Sequence, residues 1–179
     1  MTAVTSHDIQ LVLRAQCGDL EALEQLLRKV QGSLLSYISR LVGRSDAEDV
    51  LQDVFLQICR KLIWLREPEL FRPWIYRISS RAAFAFLKKK RRWSEKYADG
   101  VVMADLPAPI EEDLPEMALE IPELLDKISP ASRAVLLLHY FHDLNLEEVA
   151  AILEISIGTV KSRLAYGLSS LRNMVKREK

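Results

Sequence analysis

The chain is poor in the residues that make turns and cross-links. Among 179 residues there are 6 glycines, 7 prolines and 2 cysteines, and aromatic residues make up 7%. Sandwiches and barrels need frequent Gly- or Pro-bearing turns, so this scarcity argues against them. The abundance of Leu, Ala, Glu and Arg argues for helices. Cys17 and Cys59 are far apart and lack CxxC spacing, and the three histidines do not cluster with them. A structural zinc site normally takes four ligands, so both cysteines are expected to be partly buried, reduced thiols. No apolar run approaches the ~20 residues of a membrane span. The opening MTAVTSHDIQ has no basic start followed by an apolar stretch, so it does not read as a secretion signal. The protein is expected to be cytoplasmic, with no membrane insertion. Gly-rich phosphate loops, nucleophile elbows and HExxH motifs are missing too. The expectation is therefore no catalytic residue, no metal, no cofactor and no small-molecule substrate.

Neither sign of charge is in excess, since 25 basic residues balance 25 acidic ones. The distribution is nevertheless uneven. Residues 72–92 carry Arg72, Arg77, Arg81, Lys88, Lys89, Lys90, Arg91 and Arg92 with no acid, a net +8. Residues 96–121 carry only Lys96 against Asp99, Asp105, Glu111, Glu112, Asp113, Glu116 and Glu120, a net −6. A one-sided cationic stretch points to nucleic acid more than the total charge does.

Helix signals fill the first half. Gly18 and Asp19 read as a stop followed by an N-cap. The next helix carries Leu20, Leu23, Leu27, Leu34, Ile38 and Leu41 and ends near Gly43. Ser45-Asp46-Ala47-Glu48 fits a capping box, in which Ser and Glu satisfy backbone donors reciprocally. The helix it opens should run to about Trp64 with Ala47, Leu51, Val54, Phe55, Ile58 and Leu62 facing the core. Pro68 and Pro73 then interrupt, and Pro73 suits a first helical position because it has no N–H to satisfy. The helix after it should reach about Arg92 with Ile75, Ile78, Ala82, Ala85 and Phe86 inward.

Between residues 96 and 121, Pro107, Pro109, Pro115 and the acids replace helical periodicity, which predicts a linker. Extended, it would reach roughly 85 Å at ~3.3 Å per residue. Beyond it, Ser129-Pro130 caps a helix to about His142, and Asn145-Leu146-Glu147-Glu148 makes a second capping box. A short helix ends near Leu153, and Ser156 caps the last one, from about Ile157 to Lys176. The predicted class is all-α: two small helical domains, 1–95 and 122–179, joined by a flexible acidic linker, 96–121. The second domain contains a helix-turn-helix.

Three surfaces carry chemistry. Residues 144–168 fit the helix-turn-helix, with Val149, Ala150, Ile152, Leu153, Ile155, Val160, Leu164, Leu168 and Leu171 inside. The outer face holds Gly158, Thr159, Ser162, Tyr166 and Ser169, flanked by Lys161 and Arg163. Small polar residues with adjacent cations suit base edges and phosphates in a major groove. On the basic helix, Arg77, Arg81, Phe84 and Lys88 share one face, and Lys89 to Arg92 extend the charge. Trp74, Tyr76 and Trp93 flank it; each could stack an unstacked base, or pack in the core as most such rings do. The third surface is the acidic stripe Asp46, Asp49, Val50, Asp53 and Gln57, either a plain solvated face or a dock for a basic partner. Two other classes compete. A stand-alone helix-turn-helix repressor needs dimer symmetry and leaves the first 95 residues unexplained. An enzyme would have to use His139, His142 and Asp143, for which no third metal ligand has clear spacing.

Taken in order, DAEDVLQDVFLQICRKL (46–62), FRPWIYRISSRAAFAFLKKKRR (71–92) and LNLEEVAAILEISIGTVKSRL (144–164) resemble the extracytoplasmic-function sigma factors over nearly the whole chain. The resemblance implies a sigma factor that binds core RNA polymerase and directs promoter-specific initiation, in response to an envelope or environmental stress. It implies that Asp46, Asp49, Val50, Gln52, Asp53 and Leu56 contact the beta-prime clamp helices. Arg77, Arg81, Phe84, Lys88, Arg91 and Arg92 would face the minus-ten element, where the family captures a flipped base. Thr159, Lys161, Ser162, Arg163 and Tyr166 would read the minus-thirty-five element, and the second domain would dock on the beta flap. The linker would span the two elements and mimic nucleic acid in the enzyme's basic channel. An anti-sigma factor is the further partner implied, and no extra C-terminal regulatory domain is expected. One position departs from the pattern: Glu154 stands where the turn usually has Gly, a left-handed position that costs other residues about 1–2 kcal/mol.

Overall fold

The computed structural model describes residues 5–95 and 122–177, and the linker expected over 96–121 lies outside them. Every regular element among the described residues is helical. The chain divides into two compact units, Met1–Lys88 and Lys89–Lys179.

The first unit opens with α1 (Ser6–Gln16), α2 (Leu20–Val42) and α3 (Arg44–Lys61). Thr5 starts α1 through a full capping box with Asp8. Asp19 caps α2 by accepting from the Ala22 N–H at 3.0 Å, as the sequence predicts. The capping box expected at Ser45–Glu48 does not form. Gly43 has φ 95° and ψ 156°, a region essentially closed to other residues, and it ends α2 and begins α3 by itself. The helix therefore starts two residues early. Ser45 already has helical geometry, whereas an N-cap needs extended geometry.

Two 3₁₀ turns, Leu62–Trp64 and Pro68–Leu70, lead into α4 (Phe71–Glu95). Pro73 is thus the third residue of α4, not the first. It still lies in the first turn, where a missing N–H breaks no helical bond. Leu34, Tyr37 and Ile38 of α2, Val54 and Ile58 of α3, and Ile75 of α4 form the centre of this core.

The inner stripe of α4 differs from the one expected. Ala85 is exposed, Ala82 and Phe86 are half-buried, and Ser79, Ser80 and Ala83 are buried instead. Serines can occupy the core here because their hydroxyls donate back to the Ile75 and Tyr76 carbonyls, both at 2.8 Å. Tyr76, weighed above as a base platform, is also buried, with its ring edge-on to Tyr37 at 5.5 Å. Both cysteines are exposed, contrary to expectation, Cys17 just past the end of α1 and Cys59 on α3.

The second unit contains α5 (Pro122–Asp126), α6 (Pro130–Leu136), a π-helical turn (Leu137–Phe141), α7 (Leu146–Leu153) and α8 (Ile157–Arg177). Ser129 caps α6, accepting from the Ser132 N–H at 3.3 Å. The run from Ser132 to Leu138 is buried on every side, so α6 and the π turn form the middle of this unit. Arg133 is buried with them. Its guanidinium donates to the Asp126 carboxylate and to the Asp126 and Ile128 carbonyls at 2.7–3.0 Å, tying α5 to α6.

Candidate nucleic-acid and polymerase interface

The helix-turn-helix forms as the pattern requires. Asn145 and Glu148 exchange capping bonds of 2.8 Å at the start of α7. Glu154 ends that helix with φ 57° and ψ 44°, the left-handed conformation that the departure from glycine predicted. The Ile155 N–H then donates to the Ala150 carbonyl at 3.1 Å, and Ser156 accepts from the Thr159 N–H at 3.1 Å to start α8. Val149, Ile152, Val160, Leu168 and Leu171 are buried beneath it.

On the outer face of α8, Lys161 and Ser162 are exposed, while Thr159, Arg163 and Tyr166 are half-buried. Two of the five are already engaged locally. The Thr159 hydroxyl pairs with Ser156 at 2.8 Å, and Ser162 donates to the Thr159 carbonyl at 3.0 Å. Lys161 extends its charge into solvent.

On α4, Arg81 and the whole run Lys88 to Arg92 are exposed, and Arg77 and Phe84 are half-buried at the root of the same face. The Arg77 Nε is shielded from solvent and makes no hydrogen bond among the described residues. Of the flanking aromatics, Trp74 is half-buried with its ring 6.2 Å from that of Phe71, and the Trp93 side chain lies outside the description.

One widely exposed aromatic ring among the described residues is not singled out by the sequence. Trp64 is 79% exposed, beside Ile63 at 64%. The turn that carries them is held to α1, because the Gln16 side-chain amide donates to the Leu62 and Leu65 carbonyls at 2.9 and 2.7 Å. The helix expected to run to about Trp64 ends at Lys61. A short 3₁₀ turn puts it outward instead.

On α3, Asp49, Gln52, Asp53 and Leu56 are exposed and Asp46 is half-buried, so most of the acidic stripe faces outward. Val50 does not belong to it. It is 3% exposed, one turn before the fully buried Val54, and packs at the edge of the core.

His139 and His142 do not converge on a site. His139 Nδ1 lies 2.8 Å from the Leu144 carbonyl, and since a carbonyl only accepts, that nitrogen carries the proton. His142 is buried. Among the described residues no three His, Cys, Asp or Glu side chains are grouped to hold a metal. No helix among them is long and apolar enough to cross a membrane.

Two helical units, one with an exposed cationic helix and one with a helix-turn-helix, have the features of a DNA-binding transcription protein. Residues 26–93 match the family description Sigma-70 region 2, and residues 124–173 match Sigma-70, region 4. The chain belongs to the sigma-70 family, in its extracytoplasmic-function group. It is a sigma factor: it binds core RNA polymerase and promoter DNA and directs promoter-specific initiation. Similar curated proteins include the ECF RNA polymerase sigma-E factors of Escherichia coli (strain K12) and Haemophilus influenzae. They are 28% and 26% identical, over 94% of this chain and 94% and 95% of theirs. Among solved structures, the sigma factor RpoE in complex with the anti-sigma factor NepR from Bartonella quintana is 25% identical. It has a TM-score of 0.66 over 87% of this chain and 98% of that one. CnrH, solved with the cytosolic domain of CnrY, shares the fold at a TM-score of 0.71, covering 97% of this chain and 100% of that one at 21% identity.

Proposed function

We propose that the two units divide promoter recognition between them. Residues 1–95 engage the polymerase and the minus-ten element, 122–179 read the minus-thirty-five element, and the acidic segment 96–121 connects them. The observation that carries this reading is the cationic face of α4. Arg81 and Lys88 to Arg92 stand in solvent with no acid from residue 72 to 92. Phosphates neutralise such a face, and its counterions are released as they do. Arg77, Arg81, Phe84, Lys88, Arg91 and Arg92 are the minus-ten contacts in this reading. Thr159, Lys161, Ser162, Arg163 and Tyr166 serve the upstream groove. Trp64 offers an open ring to an unstacked base, an interaction worth about 1–3 kcal/mol.

Asp46, Asp49, Gln52, Asp53 and Leu56 form the polymerase dock, and Val50 supports it from within. The chain has no catalytic residue of its own in this reading; the polymerase performs the chemistry, and both act in the cytoplasm. A stress signal acts through an anti-sigma partner, in line with the complex in which the Bartonella relative is seen.

Run-off transcription with core polymerase on genomic DNA, with start sites mapped, tests the division. The wild-type chain creates new start sites. Arg77→Glu/Arg81→Glu abolishes them, and Lys161→Glu/Arg163→Glu reduces those that depend on an upstream element. Unchanged start sites with the first variant overturn the assignment of α4.

A further inference from the structure

The face of α4 proposed to meet DNA is aimed by contacts on its opposite side, and one of those contacts is directional. Beyond Ala83 no described α4 side chain is buried, so the helix is anchored mainly through its first half. The last buried turn is made of Ser79, Ser80 and Ala83, all small. Short side chains make shallow ridges, so at this turn a directional bond adds to the packing of Ile75, Tyr76 and Ile78 just before it.

Into this turn points the hydroxyl of Tyr37, a fully buried residue of α2. Its oxygen lies 2.7 Å from Ser80 Oγ. Ser80 has one proton, which it donates to the Tyr76 carbonyl at 2.8 Å. Tyr37 must therefore be the donor and Ser80 the acceptor. The Tyr37 ring is also braced edge-on against Tyr76, 5.5 Å away on the same helix. Ser80 sits immediately before Arg81 and three residues after Arg77, at the border between the buried stripe and the cationic face.

We propose that the buried Tyr37–Ser80 hydrogen bond sets the rotation of α4 and so aims Arg77, Arg81, Phe84 and Lys88 at the promoter. Tyr37 is then a positioning residue for promoter recognition that never touches DNA. This rests on the reading of α4 given above. The lever is adequate: turning a helix by ~20° moves a point ~6 Å from its axis by about 2 Å, enough to break a hydrogen bond.

The experiment compares Tyr37→Phe, Ser80→Ala and the double variant as complete chains assembled with core polymerase. Three quantities are measured: melting temperature, affinity for core polymerase, and open-complex formation on promoters with a matched or a substituted minus-ten element. Tyr37→Phe leaves Ser80 bonded to Tyr76 and loses little stability. Ser80→Ala takes away the oxygen that the buried Tyr37 hydroxyl bonds and lowers the melting temperature more. The double variant removes both partners and recovers the loss.

Open-complex formation on the matched promoter falls roughly three- to tenfold in all three, the range that one ordinary hydrogen bond supports, and minus-ten discrimination narrows with it. Affinity for core polymerase stays unchanged. If discrimination recovers in the double variant along with the melting temperature, the bond is only structural and the proposal fails. If Arg77→Glu/Arg81→Glu abolishes open complexes while Tyr37→Phe leaves them intact, positioning fails and the DNA-facing reading stands. If neither matters, the reading of α4 itself fails.

Discussion

Single residues in this chain are held by backbone geometry as much as by contacts. Glu154 occupies the left-handed region, with φ 57° and ψ 44°, at the one turn on which the helix-turn-helix depends. Its side chain is exposed. A glycine there would relieve the strain between Cβ and carbonyl but add freedom to the unfolded chain. Glu154→Gly should stabilise the protein by about 1 kcal/mol, read as a shifted denaturation midpoint without a changed slope. An unchanged or lowered midpoint would show that the turn carries no strain.

Asp8 is the second case. Partial burial by itself pushes its carboxyl pKa up. The hydrogen bonds from Lys29 and from the backbone and hydroxyl of Thr5, with the Lys29 charge, outweigh that and bring it below the usual 3.8. A carboxyl with a lowered pKa stabilises the folded state above the unfolded value, and that contribution disappears as pH falls through the folded value. Asp8→Asn should therefore be less stable than wild type at neutral pH, and the gap should close below pH 3.8 in a melting series. A constant gap across that range would assign the effect to packing instead.

At the scale of elements, two devices stand out for how they position a neighbour. One is the close approach of α6 and α8. A Cβ added at Gly167 would come within 2.7 Å of Leu136 Cδ1, so a larger residue there makes the Leu136 side chain shift, whereas at Gly43 glycine is required for its φ. The other is the Leu62–Trp64 turn, clipped to α1 by Gln16. A clipped turn can hold Trp64 in solvent without the ring folding back, which lowers the ordering cost of stacking a base. Trp64→Ala should weaken open-complex formation by roughly tenfold or more and leave folding intact, since a base stack is worth about 1–3 kcal/mol. The check is open-complex yield on a duplex promoter against one already unpaired at the minus-ten element. Equal yields from variant and wild type on both templates would remove Trp64 from the interface.

At a larger scale, the acidic stripe of α3 and the cationic run of α4 lie on different helices, so the polymerase dock and the DNA face proposed above should be separable by substitution. The α3 face carries Asp49 and Asp53 in solvent, and the charged residues of α4 from 72 to 92 are all cations. Asp49→Lys/Asp53→Lys should slow association with core polymerase severalfold at low salt, with a smaller effect at high salt, because exposed charges steer encounter more than they hold a complex. Stopped-flow association across a salt series checks this. A variant that associates normally at low salt would move the dock elsewhere. Zero net charge overall hides the one-sided stretches, because the +8 of residues 72–92 is offset by the −6 of residues 96–121 and by acids elsewhere.

Most of the helix order was legible because period and punctuation are local. Asp19, Ser129, Asn145 and Ser156 mark helix starts whose capping bonds depend on neighbours three residues away, and the structure shows all four. The strain at Glu154 was legible for the same reason. What tertiary structure alone decided is which side of each helix is covered. Val50 belongs to the core although it stands among acids, Ser79 and Ser80 are buried although polar, and Trp64 is exposed although aromatic. Hydropathy ranks a residue by its own transfer cost. Burial also depends on whether a distant partner satisfies a hydroxyl, as Tyr37 does for Ser80, or whether a turn ends before a ring reaches the core. The sequence by itself therefore determined the two helical modules and their charges. Only folding determined the rotation of each helix, because that depends on residues far apart along the chain.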